Sequence, residues 1–126
     1  MPIHHNQLGA VPAATERVFR AIANPKLGAR FCSVYENVLI SGAVTPTHKH
    51  AVEEILVCLS GAAECTLPGN APEPYHEGSV VIIPPNTPHT IRNTGAGLLR
   101  QLSFFAGDPP RTEWLEGPGS VDEAAP

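Results

Sequence analysis

The feature that most limits the fold of this chain is its punctuation. Fourteen prolines and eleven glycines are scattered through 126 residues, and between them lie short runs rich in β-branched side chains. Proline breaks a helix by removing a donor and clashing with the preceding turn, and glycine weakens one. Long helices are therefore excluded over most of the chain. Short β-prone runs bounded by turn residues predict an all-β fold: a sandwich, jelly roll or barrel. The runs at 30–40, 54–60, 62–67, 79–83, 89–92 and 98–105 are the expected strands. Gly61 makes a hairpin of the second and third. Residues 79–83 (Ser-Val-Val-Ile-Ile) read as a buried strand.

The ends are less regular. In residues 15–23, Val18, Phe19 and Ile22 would share a helix face, but a strand is equally compatible, and Asn24-Pro25 stops either one. The expected organisation is an N-terminal arm over 1–25, one barrel over 26–106 and a C-terminal tail over 107–126. Trp114-Leu115 is the tail's only anchor candidate.

Charge narrows the partners. Twelve acidic and eight basic residues leave a net charge of −4, with no basic run. A nucleic-acid partner would want a basic face, so none is expected. No apolar stretch is long enough to span a bilayer. The first residues lack the charged and apolar parts of a signal peptide, so a cytoplasmic location with no membrane partner is expected. Three cysteines, an odd number, are then expected as reduced thiols.

The chemistry concentrates in four residues. His48 and His50 are two apart, so on a strand both imidazoles project to one face. Glu54 keeps that parity if the strand runs on, whereas Glu53 should face out. His89 belongs to another strand and can close the set only if the sheet curls. Three imidazoles and a carboxylate suit one divalent transition metal ion: Fe, Mn, Ni, Co or Zn. Such a set leaves positions open for substrate. The plainer reading of an isolated His-x-His is an exposed polar face. His4, His5 and His76 lie in the arm and a loop and are expected in solvent.

The residues around this set resemble the cupin superfamily. Its first motif is Gly, five residues, His-x-His, three or four residues, Glu, six residues, Gly. Gly42, His48, His50, Glu54 and Gly61 stand at every fixed position. Its second is Gly, five residues, Pro-x-Gly, two residues, His, three residues, Asn. Gly78, Pro84, His89 and Asn93 match, and Asn86 stands where the family usually has Gly. Asn is the next best residue at positive φ, so the turn should survive. The resemblance implies a double-stranded β-helix (jelly-roll) barrel. It also implies metal ligation by His48, His50, Glu54 and His89, and a homodimer. In that dimer the arm could add a strand to a neighbour's sheet.

Parity extends the expected pocket. Leu56 and Cys58 follow Glu54 inward, and a two-residue turn at Gly61 would bring Cys65 to the same face. These thiols are expected as core beneath the metal, with a redox-sensitive pair as the alternative. Ile91 and Asn93 follow His89 inward. On the last strand, either Arg100, Leu102 and Phe104 or Gln101, Ser103 and Phe105 face in. Tyr35, Phe31 and Gln101 are candidate pocket residues. Arg100 is expected at the surface; facing inward it would call for a carboxylate or phosphate on the ligand.

The function expected from the resemblance is a metal-dependent enzyme acting on a small organic substrate, of dioxygenase, lyase or isomerase type. Glu54 would be the catalytic group, staying as ligand or swinging off as base. The alternative is a non-catalytic barrel that binds or senses a small molecule. An isomerase of sugar phosphates would want more inward Arg or Lys than the chain offers.

Overall fold

The computed structural model describes residues 1–5, 7, 8, 16–107, 112–115 and 122–124. Eleven strands run in order: β1 Arg17–Ala23, β2 Cys32–Leu39, β3 His48–His50, β4 Glu54–Ser60, β5 Ala62–Thr66, β6 Glu73–His76, β7 Val80–Ile83, β8 Thr90–Asn93, β9 Leu99–Ala106, β10 Thr112–Trp114 and β11 Asp122–Ala124. The described residues contain no α-helix, only a 3-10 turn at Pro25–Leu27. Asn24 caps that turn, its Oδ1 accepting from the Leu27 N–H at 3.1 Å.

One wall of the jelly roll is a six-stranded sheet in the order β11-β1-β2-β9-β4-β7. Neighbours are antiparallel except β1 and β11. The facing wall consists of β6-β5-β8 and β10-β3. Isolated bridges, Val44 to Arg92 and His48 to His89, stitch these two pieces together. Period-two alternation decides what points inward. Along β9, Leu99, Gln101, Ser103 and Phe105 are buried; along β4, Glu54, Leu56 and Cys58 are. Leu39, Leu56, Tyr75, Ile83, Ile91 and Leu99 fill the core beside Cys58 and Cys65. Each large apolar side chain buried there contributes roughly 1.5–3 kcal/mol.

The expected hairpin at Gly61 does not form: β4 pairs with β7 and β9 and β5 with β6 and β8, so the chain crosses there from one wall to the other. Two turns depend on unusual backbone. Gly61 sits at φ 97°, and a Cβ there would lie 2.7 Å from the Leu98 carbonyl oxygen. No other residue fits both constraints. Asn86 adopts φ 57°, so the turn survives the exchange of Gly for Asn.

Several expectations change. The ambiguous segment is a strand: β1 pairs with β2 of its own chain, so residues 17–23 extend the main sheet instead of forming an arm. The described residues before it also lie on their own barrel. His4 Nε2 hydrogen-bonds the Leu27 carbonyl at 2.7 Å, and the Gln7 carbonyl accepts from Arg20 at 2.7 Å. The tail returns at β10 to pair with β3. The run at 79–83 is only half buried. It forms the sheet edge, and Val80 and Ile82 on its outer face are 56% and 62% exposed while Ile83 is buried.

Candidate metal centre

The buried mouth of the barrel gathers the four predicted ligands. His48 and His50 occupy the ends of β3 and both point inward, as the two-residue period requires. Glu54 opens β4. His89 lies directly opposite His48, and the two exchange backbone hydrogen bonds of 3.1 and 2.9 Å. The Asn86 N–H donates to the His50 carbonyl at 2.7 Å, tying the second motif's turn to β3. The sheet therefore does curl enough to close the set. One ligand atom from each of the four residues can be chosen so that all lie within 4.8 Å of one another.

Main-chain carbonyls set the protonation of two rings. His48 Nδ1 is 2.8 Å from the Pro46 oxygen, and His89 Nδ1 is 2.8 Å from the Thr87 oxygen. A carbonyl only accepts, so both Nδ1 atoms carry the proton. Each neutral ring then keeps its lone pair on Nε2. This is how metal-ligating imidazoles are oriented by their surroundings. His50 Nδ1 has the Thr112 hydroxyl at 3.4 Å.

The centre of the site is a group of facing acceptors. Glu54 Oε1 lies 3.2 Å from His89 Nε2 and 3.5 Å from His50 Nε2. It is buried and has no hydrogen-bond partner. Buried lone pairs that face one another need a cation between them, either an extra proton or a metal ion. An extra proton fits poorly at His48. Burial first, then the neighbouring His89, lowers its pKa from 6.5 to about 4. Burial pushes the Glu54 carboxyl up, but the imidazoles beside it, His89 first, then His50 and His48, hold it below the usual carboxylate range. A deprotonated carboxylate beside bare imidazole nitrogens is a donor set that fits a divalent transition ion.

A cavity of about 40 Å³ adjoins this group. Phe19, Leu56, Ile91 and Trp114 give it apolar walls, and Asn37 and Gln101 are polar at its edge. Tyr75 donates to Gln101 Oε1 at 2.7 Å, leaving the NH2 end as the donor Gln101 can offer the cavity. Trp114 lies on His48 with ring centroids 5.0 Å apart.

Of the expected pocket residues, Gln101 lines the cavity. Tyr35 is buried beside it, stacked on Phe19 at 4.4 Å. Phe31 is 85% exposed and takes no part. Gln101, Ser103 and Phe105 face in, and Arg100 turns to the outer face, where it binds Glu36. Glu53, His5 and His76 are exposed. The Cys58 and Cys65 thiols are core. Burial raises both, Cys65 to about 11, which keeps them protonated and inert. Sequence reasoning missed Arg17, which also lines the cavity. The only signal for it was the strand alternative over 15–23, which puts residues 17 and 19 on one face.

The comparisons with known proteins agree with this geometry. Auxin-binding protein 1 of Arabidopsis thaliana is 30% identical over 90 residues, which is 65% of this chain and 46% of that protein. The chain thus spans about half the length of the curated relative it matches. Among solved structures, a conserved Klebsiella pneumoniae protein with a double-stranded β-helix domain superposes with a TM-score of 0.72. It shares 18% identity, over 84% of this chain and 90% of that one. The DMSP lyase DddQ of Ruegeria pomeroyi gives a TM-score of 0.63 at 27% identity, over 71% of this chain and 47% of that one. Residues 36–105, more than half of the chain and including all four clustered ligands, match the cupin domain. The chain belongs to the cupin family.

Proposed function

We propose that this protein is a metal-dependent enzyme that holds one divalent transition ion on His48, His50, Glu54 and His89 and acts on a small organic substrate in the adjoining cavity. The observation that carries this reading is the buried Glu54 Oε1, without a hydrogen-bond partner, facing His50 Nε2 and the Nε2 of His89, whose Nδ1 is tied to the Thr87 carbonyl. A divalent ion in such a site supplies Lewis acidity toward a substrate oxygen, or electrons if it is redox-active.

The chain's own residues supply the rest. His48 and His89 are held as Nε2 donors by the main chain. Glu54 contributes the single negative charge of the set, and when its carboxylate leaves the ion it can take a proton from a substrate. Phe19, Leu56, Ile91 and Trp114 exclude water, and the Gln101 amide can orient a substrate oxygen. The likeness to a lyase, DddQ, favours chemistry in which Glu54 acts as base.

A second reading has its own support. The curated relative is named for binding, so the barrel could serve to bind a small molecule without turning it over. Turnover assays with the metal-loaded protein separate the two.

The metal is tested first, by elemental mass spectrometry on untagged protein purified without chelator, and on His48→Ala. Close to one ion per chain, lost in the variant, is the expected result. Wild-type protein that stays metal-free even after reloading would overturn the proposal.

A further inference from the structure

Arg17 is the most anomalous side chain in the molecule. It is 2% exposed, yet Nε, Nη1 and Nη2 all lack a hydrogen-bond partner, and among the described residues no ion pair reaches it. A guanidinium carries five donors and stays charged in proteins, so burying it unpaired is costly. The face of Trp114 lies 5.9 Å from its central carbon and offsets part of that cost. Nothing in the fold requires an arginine here. Phe19, the next inward residue of β1, fills the same wall with apolar atoms.

The position is informative. Arg17 and the four clustered ligands line one cavity. Trp114 packs against both Arg17 and His48, so one indole links the guanidinium to the clustered residues across the cavity wall. With a divalent ion present, the single carboxylate of Glu54 cannot offset both the ion and the guanidinium. Glu16 also acts on the guanidinium through its charge, but no carboxylate among the described residues hydrogen-bonds it.

Resting on the metal reading above, we infer that the cavity takes a small organic acid whose carboxylate pairs with the Arg17 fork while a second oxygen of the same molecule meets the metal. A planar fork with open donors matches a carboxylate bidentately. The cavity of about 40 Å³ has room for on the order of three water-sized groups, which suits an acid of two or three carbons. A 2-hydroxy or 2-oxo acid carries both oxygens within that length. The apolar walls at Leu56 and Ile91 suit its short carbon frame.

The test is calorimetric titration of the metal-loaded protein with glycolate, with its uncharged counterpart glycolamide, and with inorganic phosphate. Glycolate should bind at least about tenfold tighter than glycolamide. Arg17→Met should weaken glycolate by about tenfold to a hundredfold, the usual loss of a charge-assisted pair. It should leave glycolamide binding and metal content unchanged. Arg17→Lys keeps the charge and loses the fork, so it should weaken glycolate by a smaller factor. It also serves if the Met variant does not fold.

Equal affinity for glycolate and glycolamide, unchanged glycolate binding in either variant, or tighter binding of phosphate would overturn the inference. Failure of the metal reading looks different, because elemental analysis would then find no ion. In that case the glycolate-induced rise in melting temperature of the metal-free protein decides. A rise absent from Arg17→Met supports the carboxylate site, and no rise in wild type removes it.

Discussion

The two faces of the six-stranded sheet each bury a carboxylate, and they treat it in opposite ways. On the outer face Glu36 is 0% exposed and held by Arg20 at 2.6 Å and Arg100 at 2.5 Å. These arginines also reach the carbonyls of Gln7 and Leu8, pinning the start of the chain to the barrel. On the inner face Glu54 Oε1 and the Arg17 guanidinium are also buried and have no hydrogen-bond partner. One set of charges is complete within the protein. The other lacks hydrogen-bond partners among the described residues. Burial of charge by itself therefore does not mark a functional site; burial without satisfaction does.

The largest expected effect breaks the complete set. Glu36→Leu leaves two guanidiniums facing each other without their carboxylate. It should destabilise the fold by about 3–5 kcal/mol in denaturant unfolding while bound metal is unchanged. Replacing Arg20 and Arg100 by Met as well should recover most of that loss, because a buried charged triad can be exchanged for apolar packing. A Glu36→Leu protein that unfolds like wild type would remove the contrast between the faces.

The next effect sharpens the inner face. In the metal-free protein, burial holds the His48 pKa at about 4, below its ordinary 6.5. The unfolded chain then takes up that proton first. Stability is full above pH 6.5 and is lost as the pH falls from about 6.5 to about 4. The total loss is on the order of 3 kcal/mol. Glu54, held below its ordinary range, adds loss of the same sign at still lower pH. Thermal melts of the metal-free protein across this range should show the decline, and His48→Gln should flatten its upper part. Metal should protect against it until protons compete for the ligands.

The smallest effect concerns the imidazole of His50 and the hydroxyl beside it. Thr112→Val removes the hydroxyl 3.4 Å from His50 Nδ1. A contact this long orients the ring weakly, so metal affinity measured by chelator competition should fall by less than about tenfold.

Much of this was readable in the sequence where strand parity applies. His48 with His50, Glu54 with Leu56 and Cys58, and His89 with Ile91 and Asn93 all share inner faces. A period of two leaves no freedom once one member is placed. The direction of Glu53, exposed beside buried Glu54, follows from the same rule. What could not be read depends on pairing between distant segments. Arg17 acquires its position from β2, twenty-two residues on, where it stands opposite Leu39. Its own neighbourhood is compatible with a helix. Trp114 was visible as an anchor, but its contact with His48 comes from the β10–β3 register. Val80 and Ile82 sit in an apolar run that reads as buried, yet they lie on the sheet's edge strand.

The carbonyls of Pro46 and Thr87 that orient His48 and His89 have a wider meaning. In this site the support behind two of the clustered rings is written in backbone, which every residue type possesses. Positions 46 and 87 can therefore drift in sequence without releasing the imidazoles, as long as the chain keeps its path. Relatives would preserve the ligands and the turn geometry while showing little pattern in the residues that hold those ligands in place. The durable signature of such a site is a shape of the main chain, and a comparison of side chains alone would overlook half of what makes it work.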